Sequence, residues 1–183
     1  FCKHKIIFND YALENLMVKS EVPLKLTLVD FGCARIFNKD KTYTWDFNKI
    51  LSIRNHSISP DIIRKYNVKK EMKRDEIFDL LLKKDLFSIG VLLYSVISGC
   101  DLWNPTVINF PTKKFEDMLM IHSFYNRKLV TMNPNDNMYL IFRLLIRLLP
   151  FDIDDMISIK EFNDFILKIK LLERSQKKRK FSD

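Results

Sequence analysis

Glycine is nearly absent: the 183 residues hold three, Gly32, Gly90 and Gly99. That count excludes a collagen-like repeat, and the spacing excludes a G-x-G-x-x-G phosphate loop anywhere in the chain. Cysteine is as scarce. Cys2, Cys33 and Cys100 are odd in number and far apart, which fits neither a disulfide framework nor a zinc pattern. A reducing, intracellular compartment is expected, with Cys33 as a small buried residue. Long apolar runs are missing too. The longest, LFSIGVLLYSVISG from Leu86 to Gly99, falls short of the ~20 residues of a membrane span and reads as a buried helix. FCKHKIIF is basic and then apolar, but no small-residue cleavage site follows, so no signal peptide is expected. His4, His56 and His122 are scattered, form no ligand set and read as surface or loop residues. No Met opens the chain, and Phe1 reads as the interior of a domain, so a fragment is expected.

What remains is ordinary for a globular domain: 47% hydrophobic and 30% charged residues, with 15 Phe. The length allows one domain with a real core. Net charge is +8, part of it in KKRK at Lys177–Lys180. That run suits a nuclear address or a solvated end, so cytoplasmic and nuclear locations both stay open. Basic and aromatic residues are not interleaved, and no nucleic-acid partner is expected.

Leu16-Met17-Val18 reads as a short strand. KSEVP is a turn, and the alternation in LKLTLVD (Leu24 to Asp30) predicts a second strand, making a hairpin. Residues 34–60 lack a sustained period and read as one long irregular loop. Ser59 and Pro60 suit a helix start. EMKRDEIFDLLLKK has helical spacing; Asp85 is then expected to open a long buried helix through Ile97, with Gly99 as its stop. KKFEDMLMIHSFYN, MYLIFRLLIRLL and SIKEFNDFILKIKLLERSQ predict three further helices, the last with a Ser158–Glu161 capping box. The expected fold is mainly α with a small β-hairpin, one domain over residues 1–170 and a basic tail over 171–183.

The chemistry gathers at the hairpin. Asp10 is followed five positions later by Asn15, which leads into the first strand. Asp30-Phe31-Gly32 leaves the second strand, so the hairpin brings Asn15 and Asp30 together, with Asp10 facing the same space. Phosphoryl transfer needs hard oxygen ligands for Mg2+ and a carboxylate beside the attacking hydroxyl. Gly32 suits a sharp turn after the second acid.

These residues in this order resemble the C-terminal lobe of the eukaryotic protein kinases, from about Lys3 to Phe165. FNDYALENLMV matches the H-R-D-L-x-x-x-N catalytic loop, VDFGCAR the D-F-G segment, SPD the A-P-E end of the activation segment, and KKDLFSIGVLLYSVISG the D-x-W-S-x-G helix. The resemblance implies an α+β kinase-like C-lobe with Asp10 as catalytic base and Asn15 and Asp30 as Mg2+ and ATP ligands. It implies Asp85 bracing the catalytic loop from beneath, Phe31 packed in a regulatory core, and a protein substrate. Thr42, Tyr43, Thr44 and Ser52 become candidate phosphosites. The glycine-rich loop and strand lysine of the family would come from upstream, and the fragment alone would be inactive.

Some positions depart from the family. Phe8 and Asn9 stand where it has His and Arg; Phe8 keeps apolar packing, but Asn9 cannot hold a loop phosphate as Arg would. Ala12 replaces the lysine of serine/threonine kinases, although LENL favours that class. Asp61 replaces Glu and Met156 its Arg partner, so that ion pair is expected to be lost or replaced by local packing. Arg143 and Arg147 share a helix face, expected to be solvated, and are alternative partners for Asp61. A pseudokinase acting as a binding or scaffold module is the alternative function. A choline- or aminoglycoside-type small-molecule kinase, whose loop can read H-N-D-x-x-x-x-N, is a third.

Overall fold

The architecture grows around one long helix. In the computed structural model, residues 5–21, 24–37, 44–45, 58–66, 70–103 and 111–180 are described, the side chains of 24, 44–45, 70–71, 111–112 and 175–180 excepted. The protein is mainly helical, with three antiparallel strand pairs among these residues. Strand β1 (Ile6–Ile7) leads to a 3-10 turn (Leu13–Asn15), then β2 (Leu16–Glu21), β3 (Leu24–Leu28), β4 (Arg35–Ile36) and β5 (Thr44–Trp45). Helix α1 (Pro60–Tyr66), β6 (Lys70–Glu71) and α2 (Arg74–Ser98) follow. The chain closes with α3 (Pro111–Thr131), α4 (Asn137–Leu148), a 3-10 turn (Ile153–Asp155) and α5 (Ile159–Lys180).

The hairpin forms, β2 pairing antiparallel with β3, Leu16 opposite Leu28 and Met17 opposite Thr27. But β2 runs on through Lys19–Glu21, which were expected as turn, because Ser20 and Glu21 find partners in Lys25 and Leu24. The stretch expected to be a featureless loop is partly paired. Arg35–Ile36 pairs with β1, and Thr44–Trp45 with β6. Two-residue strands carry no readable period, so they exist only through their partners. Thr44 falls in β5; Thr42, Tyr43 and Ser52 lie outside the described residues.

Helix α2 corrects one expectation. It is a single 25-residue helix, and Asp85 sits in its middle instead of opening it. Its start is fixed by Glu76, whose carboxylate accepts the Lys73 N–H at 3.0 Å. It ends at Gly99, where φ is +71° and the Gly99 N–H reaches Ser95 O at 2.9 Å. No atom lies within 4 Å of a Cβ placed on Gly99, so backbone conformation and not crowding calls for glycine there.

The other faces of α2 are laid against α4, which in turn packs on α3 and α5. Leu140, Leu144, Leu145 and Leu148 form the buried stripe of α4. Gly90 lets it approach: a Cβ there would lie 2.8 Å from Leu148 Cβ and 3.0 Å from Leu148 O. Leu81, Phe87, Met118, Leu145, Leu149 and Ile153 centre the core, with Trp103 stacked on Phe87 at 5.9 Å. His122, expected on the surface, is half-buried on α3; its Nε2 donates to Leu149 O at 2.6 Å, and Phe151 lies 4.4 Å away, ring to ring. Burial lowers its pKa, and the bond to Leu149 partly offsets that.

Ser59 and Glu161 act as expected at helix starts. Ser59 Oγ accepts the Asp61 N–H, and Ser158 and Glu161 bond reciprocally, Glu161 Oε2 taking the Ser158 N–H at 2.9 Å and Ser158 Oγ the Glu161 N–H at 3.2 Å. Helix α5 crosses residue 170 without a break and runs to Lys180. No described helix is long and apolar enough to cross a membrane.

Candidate active site

The loop between β1 and the first 3-10 turn carries Asp10, and it rests on the middle of α2. Asp85 Oδ2 accepts the Phe8 N–H at 2.8 Å and Asp85 Oδ1 the Asn9 N–H at 3.0 Å. One buried carboxylate thus orients two consecutive peptide groups of a segment 76 and 77 residues away. Asp85 is 5% exposed. Desolvation raises its pKa to about 6, against the pull of Lys84 and the two amides.

Lys84 meets the same loop. Its Nζ donates to Asn9 O at 2.8 Å, and the residue is 1% exposed. Burial pushes the Lys84 ammonium below its ordinary pKa, and the carboxylates of Asp85 and Asp10 counter that push. The sequence reading missed Lys84, because a lysine amid helical polar residues reads as a solvated face.

Asn9 takes φ +68°, a left-handed conformation that asparagine tolerates better than most residues. Its Nδ2 donates to Cys33 O at 3.1 Å, which ties the loop to the segment after Asp30. Cys33 is half-buried, less than expected. Phe8 is buried and carries Tyr11 on one side (ring centroids 4.9 Å) and the edge of Phe31 on another (5.4 Å). Phe31 touches Phe8 but is 53% exposed, so it is only partly packed.

Asp10 and Asn15 are in direct contact. Asn15 Nδ2 donates to both Asp10 O and Asp10 Oδ2, each at 2.9 Å. Both residues are buried. Asn15 O accepts the Val29 N–H at 2.9 Å, which brings the residue preceding Asp30 to the foot of the hairpin beside Asn15. Asp30 is exposed, with φ +58°. Its Oδ1 accepts the Gly32 N–H at 3.0 Å, and a Cβ on Gly32 would stand 3.1 Å from that oxygen. The sharp conformation expected of Gly32 therefore belongs to Asp30, and Gly32 supplies clearance.

The three predicted residues stand in one region: Asp10 bonded to Asn15, and Asp30 one residue beyond the Asn15–Val29 bond. The donor chemistry suits a hard cation. With its Nδ2 spent on Asp10, Asn15 offers an amide oxygen, and Asp30 offers the carboxylate oxygen not bonded to Gly32. Among the described residues no group of three or more His, Cys, Asp and Glu gathers into a metal site. Two protein ligands suit Mg2+, which keeps water and phosphate oxygens in its shell.

Asp61 corrects a second expectation. It is fully buried, yet neither Arg143 nor Arg147 serves it. Arg64 lies 2.6 Å from Oδ1 and Lys65 3.0 Å from Oδ2, both from α1 itself, and the Ile153 N–H donates to Oδ2 at 3.0 Å. The ion pair expected to be lost or replaced by local packing is replaced by local cations, each about one helical turn away, at i+3 and i+4. Arg147 instead pairs with Glu161 at 3.4 Å, and Arg143 lies over the Tyr139 and Phe165 rings. No protein-family model matches the chain, and no curated protein gives a significant match.

Proposed function

We propose that the chain forms the kinase-like C-lobe of a protein kinase, of the serine/threonine type, that moves the ATP γ-phosphate to a protein hydroxyl. The observation that carries this reading is the Asp85 carboxylate receiving the Phe8 and Asn9 amides. It holds an acid-bearing loop from beneath, as the sequence resemblance implies for that residue.

In this reading Asp10 orients the substrate hydroxyl and takes its proton as the new O–P bond forms and the bond to the leaving ADP oxygen breaks. Asn15 steadies the Asp10 carboxylate through Nδ2. Asn15 and Asp30 would hold Mg2+, which supplies positive charge to the phosphate oxygens. Phe8 and Ala12, on either side of Asp10 in sequence, are buried like Asp10 itself.

A pseudokinase is the second reading. One observation favours it: Asp10 is 8% exposed and already bonded to Asn15 through one carboxylate oxygen. Transfer from γ-labelled Mg-ATP by the full-length protein separates the two. The kinase reading predicts labelling of protein, lowered at least about 10²-fold by Asp10→Asn. Equal labelling by both forms, or ATP binding with no transfer by either, rejects it; labelling of small aminoalcohols alone points to the small-molecule class.

A further inference from the structure

Three of the four polar groups of Asn9 are tied down, and the fourth, Oδ1, is buried without a hydrogen-bond partner. Its N–H goes to Asp85, its C=O to Lys84, and its side-chain Nδ2 to Cys33 O. Two of these anchors are consecutive residues of α2. Lys84 is the unusual one. A methionine would fill the same length without the cost of taking an ammonium out of water. The space around Lys84 explains the cation: Asp85 and Asp10 are both buried, and their fields act on it, with Arg35 and Cys33 as the other ionisable neighbours. Without Lys84, two buried carboxylates would share one small region with less compensation, and the Asn9 carbonyl would lose its donor. Asn9 itself is neutral, so the loop brings no cation of its own at that position.

We propose that Lys84 is a positioning residue for Asp10. Its ammonium, delivered from α2 onto the carbonyl of the preceding residue, fixes the acid-bearing loop without any phosphate captured from the segment after Asp30. The inference rests on the phosphotransferase reading for its functional meaning. The loop is thereby set from inside the fold.

The test uses the full-length protein with Lys84→Met, which keeps shape and removes charge and donor, and Lys84→Gln, which restores a donor without charge. Amide exchange at residues 9–11 is read beside kcat and KM for Mg-ATP. The expected result for Lys84→Met is exchange at 9–11 faster by about tenfold or more, α4 unchanged, and kcat lower by about 10²-fold with KM for ATP within about twofold. Lys84→Gln recovers part of both. Wild-type exchange at 9–11 in Lys84→Met, or acceleration spread equally into α4, overturns the proposal. If the wild-type protein transfers no phosphate, the kinase reading falls separately; the exchange result then decides alone whether Lys84 holds the loop.

Discussion

Among the described residues only Lys5, Asn9 and Asp30 adopt positive φ without being glycine. Two of the three border the Asp10–Asn15 pair. Such conformations cost about 1–2 kcal/mol each and persist where surrounding bonds over-determine them. Asn9 has three such bonds, and Asp30 has its turn to the Gly32 amide. Asp85 adds a titration to this region. Its folded pKa, about 6, lies above the ordinary carboxylate value of 3.8, so the folded state holds the proton more tightly. The Asp85 contribution to stability therefore falls as pH rises from about 4 to about 6 and is level above. NMR amide shifts of Phe8 and Asn9 are expected to titrate with a midpoint near 6, absent in Asp85→Asn; a midpoint near 4 would show a solvated carboxylate. Asp10, Asn15 and Asp30 were legible in the sequence because their types and spacing carry chemistry. Lys84 was not, because nothing along the chain says that β1 and its loop lie on that face of α2.

At the scale of elements, sequence patterning located all five α-helices among the described residues but divided α2 in two. The polar run Lys83-Lys84-Asp85 looked like an interruption. Each member is satisfied by a distant segment: Lys83 by Asp154 at 3.1 Å, Lys84 by Asn9, Asp85 by Phe8 and Asn9. Lysine is itself a good helix former, so the run does not end the helix, and tertiary pairing lets Lys84 and Asp85 be buried within it. The short strands β4, β5 and β6 were invisible for the converse reason, since pairing alone defines them. The α2–α4 contact makes its own prediction. Gly90→Ala gains about 1 kcal/mol of helix propensity but drives a methyl into Leu148, an overpacking cost of about 1–3 kcal/mol. Because Leu148 O is backbone and cannot swing away, the cost should win. Thermal melting is expected to show a lower Tm; an unchanged or higher Tm would mean that α4 retreats freely.

Across the whole molecule, one ionic cluster joins elements far apart in sequence. Asp61 on α1, Lys65, Asp152, Asp154 and Lys83 link α1, α2 and the turn before α5. The hydrogen bond to Asp152, with those to Asp61 and Asp154, raises the Lys65 pKa despite some desolvation; Lys65 lowers Asp152 in return, and Lys83, then Lys65, lower Asp154. Arg64 and Lys65 are partly exposed, so losing Asp61 would not strand buried cations. The larger cost is the buried Ile153 N–H. Asp61→Ala is expected to lose about 2–3 kcal/mol in urea unfolding, and Asp61→Asn less; a loss under about 0.5 kcal/mol would show that Ile153 finds another acceptor. The family resemblance put the partner of Asp61 at Met156, with Arg143 and Arg147 as alternatives, all distant in sequence, whereas the partners stand on the same helix. The proposal that Asn15 and Asp30 together hold a metal–phosphate complex is tested most directly by titrating Mn2+·ATP into the isotope-labelled full-length protein. Paramagnetic broadening centred on Asn15, Asp30 and Asp10 and weakened by Asp30→Ala is the predicted result. Broadening confined to Asp152 and Asp154, or none near the hairpin, would contradict it.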